Sequence, residues 1–254
     1  MKTVETLLAV EDVTVEFDGF KAIDSLNFYV DKGGVRVLIG PNGAGKSTLC
    51  DTIIGRVRPR SGRILFRGED ITRLPEFRIV RKGICRKFQT PGVLQSLSVH
   101  DNLALAARKT RDWWHAFGRD LTKAERERME DVLALIGLAD KRDYLPSQIS
   151  HGEKQWLEIG MVVATEAELL LLDEPTAGMS PQETSDTADL IRRLVGRHTV
   201  LVIDHDMSFV EQLDAPVSVL HMGALLKEGS IAEVRSDPEV AAVYLGRIED
   251  AAAA

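Results

Sequence analysis

The sequence predicts an α/β fold: a parallel or mixed sheet with flanking helices, an antiparallel β part at the N-terminus, and a helical insert. Three observations predict it. The glycine-rich run GPNGAGKS, Gly40 to Ser47, stands between an apolar strand-like stretch and a helix-like one. Two wholly apolar runs, Leu169 to Leu172 and Val200 to Ile203, have the length of strands buried on both faces, as in a parallel sheet covered by helices. Between these landmarks, from about 90 to 165, the pattern turns helical.

Each element follows from local chemistry. Leu8-Ala9-Val10 and Val13 to Phe17 read as strand, and Asp18-Gly19 turns the chain. Ile23 to Val30 alternates apolar and polar residues, the period of a half-buried strand. Lys32-Gly33-Gly34 turns the chain into Val35 to Ile39, and Thr48 to Ile54 then reads as a helix. Ser61 to Phe66 is a further strand. In the insert, Thr122-Lys123-Ala124-Glu125 spells a capping box. Met129, Val132, Leu133 and Ile136 follow at i, i+3, i+4, i+7, and Gly137 stops the helix. Ser180-Pro181-Gln182-Glu183 opens another helix with an N-cap, a proline in the first turn and a glutamate at N3. The expected division is one domain: a core over 1–89 and 166–235, a helical subdomain over 90–165, and a tail over 236–254, whose terminal alanines read as a frayed end.

Composition bounds the function. The 254 residues are 44% hydrophobic and 28% charged, ordinary for a globular chain. No apolar run approaches the roughly 20 residues of a membrane span. The N-terminal stretch carries acids inside its apolar part, so a secretory signal is not expected. Cys50 and Cys85 make no disulfide framework; both are expected to be small buried hydrophobes in a reducing compartment. A net charge of −7 argues against a nucleic-acid surface.

The run Gly40, Pro41, Asn42, Gly43, Ala44, Gly45, Lys46, Ser47 fits the phosphate-binding pattern at every fixed position, and Thr48 continues it into the helix. Glycines let successive N–H groups point at a phosphate chain, and the helix N-terminus adds partial positive charge. Lys46 is placed to reach the β/γ-phosphates of a nucleotide such as ATP, and Ser47 to hold Mg²⁺. The run Leu169 to Leu172 ends in Asp173-Glu174. There Asp173 suits Mg²⁺ through water, and Glu174 suits the attacking water as general base. Ser150 and Gly152 precede another helix, where a hydroxyl and backbone N–H groups can hold an anion or simply cap the helix.

With these pieces in order, the chain resembles the ATP-binding-cassette ATPases, whose P-loop NTPase core carries a helical subdomain. Ile149-Ser150-His151-Gly152-Glu153 occupies the place of their LSGGQ signature, departing at His151 and Glu153. The resemblance implies that Phe17 stacks on adenine, although a core strand phenylalanine fits the residue equally well. It implies that Gln89 senses Mg²⁺ and the γ-phosphate, and that His205 contacts the γ-phosphate. It implies a catalytic set of Glu174, His205, Lys46 and Gln89, and a metal set of Ser47, Gln89 and Asp173. It implies a head-to-tail pair in which Ser150 and Gly152 serve the partner's nucleotide. The second ATPase is a sister chain or another copy, and the other partners are two membrane-spanning permease subunits and a separate solute-binding protein. The implied location is peripheral, on the cytoplasmic face of the inner membrane.

Arg86 to Pro91, Ser150 to Met161 and Pro175 to Met179 look like the ATPases of urea importers, so urea or a short amide is the expected solute. His221-Met222-Gly223 and Val243 to Gly246 resemble the wider group that includes branched-chain amino acid importers, the stated alternative. A soluble cassette ATPase acting on ribosomes or nucleic acid is the competing class. The Trp113 to Phe117 cluster serves either local packing or a partner contact.

Overall fold

The computed structural model describes residues 5–87, 92–108 and 121–244. The first strand, β1 (Thr6–Phe17), pairs antiparallel with β2 (Phe20–Asp31) through the expected Asp18-Gly19 turn. The two apolar runs read near residues 8–10 and 13–17 form one strand. Register shifts between Val10 and Val13 let it twist without breaking. With β4 (Ser61–Phe66) and β5 (Glu69–Asp70) they form a four-stranded sheet in the order β2-β1-β4-β5.

The second sheet has six strands. They are β3 (Val35–Ile39), β6 (Ile84–Arg86), β7 (Leu169–Asp173), β8 (Thr199–Ile203), β9 (Val217–His221) and β10 (Ala224–Gly229), in the order β10-β9-β3-β8-β7-β6. All its pairings are parallel except β10 on β9. Its central strands are buried on both faces, and alternate residues serve different cores. Leu169 and Leu171 pack with the four-stranded sheet and α1 (Lys46–Ile53), as do Leu201 and Ile203. Leu170, Leu172, Val200 and Val202 pack on the opposite side, against the helices. That two-sided burial is why β7 and β8 read as unbroken apolar runs rather than as alternation.

Among the described residues, the segment between β6 and β7 is helical, as expected. It holds α3 (Val99–Ala107), α4 (Lys123–Leu135) and α5 (His151–Ala164). Thr122 and Glu125 form the reciprocal capping box at α4. Met129, Val132, Leu133 and Ile136 are all buried, and Gly137 leaves the helix at φ +70°. After β7 come α6 (Pro181–Leu194), with its predicted cap at Ser180, then α7 (Met207–Leu213) and α8 (Ile231–Ser236), with a last helical stretch over 238–244. A short α2 (Glu76–Lys82) precedes β6. The cysteine expectation needs one correction: Cys50 is fully buried on α1, but Cys85 in β6 is only half-buried. A three-residue edge strand, paired only with β7, does not close over both of its faces.

Candidate active site

Parallel register brings the functional loops together. Leu38 pairs with Ile203, and Ile203 pairs with Asp173, so β3, β8 and β7 end at one edge of the sheet. Ligands of open α/β sheets bind outside that carboxyl edge.

The phosphate-binding run leaves β3 there. Glycine is required at Gly40 and Gly45. A Cβ on Gly40 would lie 2.2 Å from the Leu220 carbonyl oxygen, and one on Gly45, at φ +104°, would lie 2.5 Å from that of Ala22. Gly45 is the N-cap, so α1 starts at Lys46, two residues earlier than its apolar pattern suggests. The Lys46 ammonium donates to the carbonyls of Gly40, at 2.7 Å, and Pro41, at 2.9 Å. It is thus turned onto its own loop, where a phosphate chain would compete for it. Ser47 is exposed and Thr48 half-buried at the start of α1. Pro41, Asn42, Gly43 and Ala44 line a groove of about 710 Å³ with Phe20, Lys21, His221 and Met222. Phe17 is 47% exposed beside the hairpin turn, paired with Phe20, and Phe20 lines the groove.

At the end of β7, Asp173 is buried. Arg86 donates to it at 2.7 Å and to Asp51 on α1 at 2.6 Å. Sequence reasoning gave Arg86 no role at the site, although a buried cation at the end of the short strand Ile84-Cys85-Arg86 implies a carboxylate partner. Glu174 follows at φ +45°, its N–H donating to the Ile203 carbonyl at 2.8 Å. That bond aims it across to β8, and its Oε1 lies 3.5 Å from His205 Nδ1. Two residues chosen separately from sequence therefore meet. Asp204, which the sequence reading missed, fixes the loop between them. Buried, it accepts the N–H groups of His205 at 2.7 Å and Asp206 at 3.0 Å, and the Thr176 hydroxyl at 2.8 Å.

Ser150 caps α5 and accepts the Glu153 N–H at 3.1 Å, while the Glu153 carboxylate accepts the Ser150 N–H at 2.9 Å. Glu153, the departure from the expected glutamine, thus completes a capping box. Burial pushes its carboxyl up, but Lys141 and the Ser150 N–H outweigh that and hold it below the usual carboxylate range. Gly152 faces the Glu183 side chain of α6, whose Oε1 would lie 2.3 Å from a Cβ there and would have to swing aside for any larger residue. Ser150 Oγ donates to the same oxygen at 3.4 Å. His151 Nε2 donates to the Ala177 carbonyl at 3.0 Å, tying the head of α5 to the loop after Glu174. Gln89 and the Trp113 to Phe117 cluster lie outside the described residues.

Among the described residues, no group of three or more His, Cys, Asp or Glu forms a metal cage. Ser47, exposed at the start of α1, and Asp173, at the end of β7, are oxygen donors of the type Mg²⁺ takes alongside phosphates. Also among them, no helix is long and apolar enough to cross a membrane.

Strand ends that supply a phosphate cradle, two acids and a histidine define a nucleotide-hydrolysing cassette, and the comparisons with known proteins agree. The family model described as ABC transporter matches residues 23–177, more than half of the chain, and the chain belongs to that family as an ATP-binding, ATP-hydrolysing subunit. It is similar to the high-affinity branched-chain amino acid transport ATP-binding protein BraF of Pseudomonas aeruginosa, at 34% identity covering 94% of this chain and 98% of that one. LivG of Escherichia coli K12, with the same description, is 32% identical over 95% of this chain and 98% of its own. Among solved structures, a nucleotide-free ATP-binding cassette from an ABC transporter superposes with a TM-score of 0.83 at 29% identity, covering 94% of this chain and 98% of that chain. A cassette in its ADP conformation gives 0.84 at 30% identity, covering 95% of this chain and 99% of that chain. The named amino acid relatives support the alternative solute read from the sequence better than they support urea.

Proposed function

We propose that this chain powers the import of a branched-chain amino acid through a membrane complex. The single observation that carries this is its similarity, along nearly its full length, to ATP-binding proteins of branched-chain amino acid transport. A second reading, urea or a short amide, is favoured by the run Ser150 to Met161 with its Lys154-Gln155-Trp156 element. In either case the solute touches other subunits: a solute-binding protein and two membrane-spanning permeases. The chain itself sits on the cytoplasmic face of the inner membrane, beside a second ATPase.

In this reading Lys46 and the loop N–H groups hold the phosphates. Ser47, Asp173 and Gln89 hold Mg²⁺, which neutralises charge on the phosphates when bound. Glu174 orients and deprotonates water, with His205 beside it toward the γ-phosphate. Phe17 contributes to adenine binding. Ser150 and Gly152 act in trans, closing on the partner's nucleotide, and the closed state is favoured only by the difference in ATP affinity between closed and open. The test is uptake of labelled leucine and labelled urea by cells lacking this subunit. Loss of leucine uptake alone supports the first reading and loss of urea uptake alone the second; retention of both refutes the importer.

A further inference from the structure

The strand that carries Arg86 also delivers an unusual neighbour. Lys87, one residue beyond β6, is buried, its side chain 4% exposed. Its N–H donates to the Leu171 carbonyl at 2.9 Å, two residues before Asp173. Its ammonium donates to Gln155 Oε1 and lies 3.5 Å from the Glu158 carboxylate, both on α5. Glu158 is partly buried, its side chain 11% exposed, and takes the Gly92 N–H as well. An ion pair taken out of water is costly unless further hydrogen bonds support it, and here Gln155 adds one at Lys87 and the Gly92 N–H one at Glu158. Lys87 and Glu158 line an open, mostly apolar pocket of about 190 Å³ together with Cys85, Met161 and Val162.

The consequence lies in where α5 is fastened. Lys87 joins its second and third turns to β7 just ahead of the catalytic acids. His151, in its first turn, joins Ala177 just behind them. Gln155 stands between these fastenings, its Nε2 3.5 Å from His151 Nε2. Ser150 therefore has its place set relative to Asp173-Glu174 by two anchors. One of these anchors is a buried charge.

We propose that the Lys87–Gln155–Glu158 clasp is a positioning device that fixes the Ser150 end of α5 relative to the Asp173-Glu174 loop, and so sets turnover of the nucleotide that Ser150 serves. The proposal rests on the reading of Ser150 as a residue acting in trans. Two of the three stretches that carried the urea-importer resemblance, those beginning at Arg86 and Ser150, touch each other through this clasp.

The experiment compares the full chain with Lys87→Met/Glu158→Leu, an apolar replacement that keeps volume and leaves no unpaired buried charge. Amide hydrogen exchange of the nucleotide-free chain comes first. The clasp predicts that residues 151–156 exchange about tenfold faster or more in the double variant, with β7 unchanged. ATP binding by the chain stays within about twofold, because the phosphate loop is untouched, while turnover falls by about 10- to 100-fold from misplacement. Lys87→Arg, which keeps the charge, retains turnover. Unchanged exchange at 151–156, or loss of ATP binding, overturns the clasp. Faster exchange with full turnover also overturns it, provided Ser150→Arg abolishes turnover. If Ser150→Arg still turns over ATP, the trans reading fails instead, and the exchange result alone decides the clasp.

Discussion

Arg86→Met tests the least expected part of the site. The guanidinium is 7% exposed and holds the Asp173 side chain, 2% exposed, and Asp51, 31% exposed. Removing the cation leaves Asp173 as a buried carboxylate with no countercharge, and breaking a buried pair in this way costs about 3–5 kcal/mol. Two details favour the lower end. Asp51 can relax toward water, and Arg86 Nε, buried with no hydrogen-bond partner, is a cost that the variant removes. A loss of about 3 kcal/mol corresponds to a fall in Tm of about 6–12 °C for a chain of this size. Mg-ATP should return more stability to the variant than to the wild type, because the metal supplies the charge that Asp173 has lost. The assay is differential scanning fluorimetry of both chains, without nucleotide, with ATP and EDTA, and with Mg-ATP. A fall below about 2 °C would refute the burial argument, since it corresponds to less than about 1 kcal/mol. An equal Mg-ATP shift in the two chains would refute the placement of Asp173 beside the metal.

The other expectations are briefer. Glu174→Gln should keep Mg-ATP binding and lose about 10²- to 10⁴-fold in turnover, the contribution of a positioned base, while trapping an ATP-bound pair on gel filtration. A fall of less than about threefold would remove it from that role. Lys46→Ala should abolish tight ATP binding in a titration, and near-wild-type affinity would sink the phosphate-loop reading. Burial pushes the Cys50 thiol up to about 12, so at pH 8 the folded chain should be labelled at Cys85 alone, and at both cysteines after denaturation. Mass spectrometry showing fast Cys50 labelling would contradict the packing around α1.

What could be read in advance was whatever local chemistry settles by itself. The capping boxes at Thr122 and Ser180 are contained in four consecutive residues, so they needed no knowledge of the fold. The apolar runs at β7 and β8 announce two-sided burial directly. The links that organise the site are long-range and leave weaker traces. Arg86 and Asp173 are 87 residues apart, and Thr176 and Asp204 are 28 apart. Nothing local to Glu183 says that it will press on Gly152 of another helix. The aromatic at the groove shows a third kind of difficulty. Phe17 and Phe20 flank one turn, and that Phe20 lines the groove beside the phosphate loop follows from register shifts near Val15 and Glu16 that no periodicity reveals, while the role of Phe17 stays a proposal.

The shared edge of the six-stranded sheet acts as a ruler. Neighbouring strands are held about 4.8 Å apart by their hydrogen bonds, so the step from the β3 loop to His205, and from His205 to Glu174, is set by backbone rather than by side chains. Altering those intervals would mean breaking a ladder buried on both faces. Change is therefore confined to what hangs from the sheet. The segment joining β6 to β7 leaves the ruler after Lys87 and returns to it at Leu169, and so long as α5 keeps its fastenings the rest of it can lengthen, turn or take on new partners without moving any graduation. A chain built this way can be refitted to a different transporter while its chemistry keeps the same dimensions.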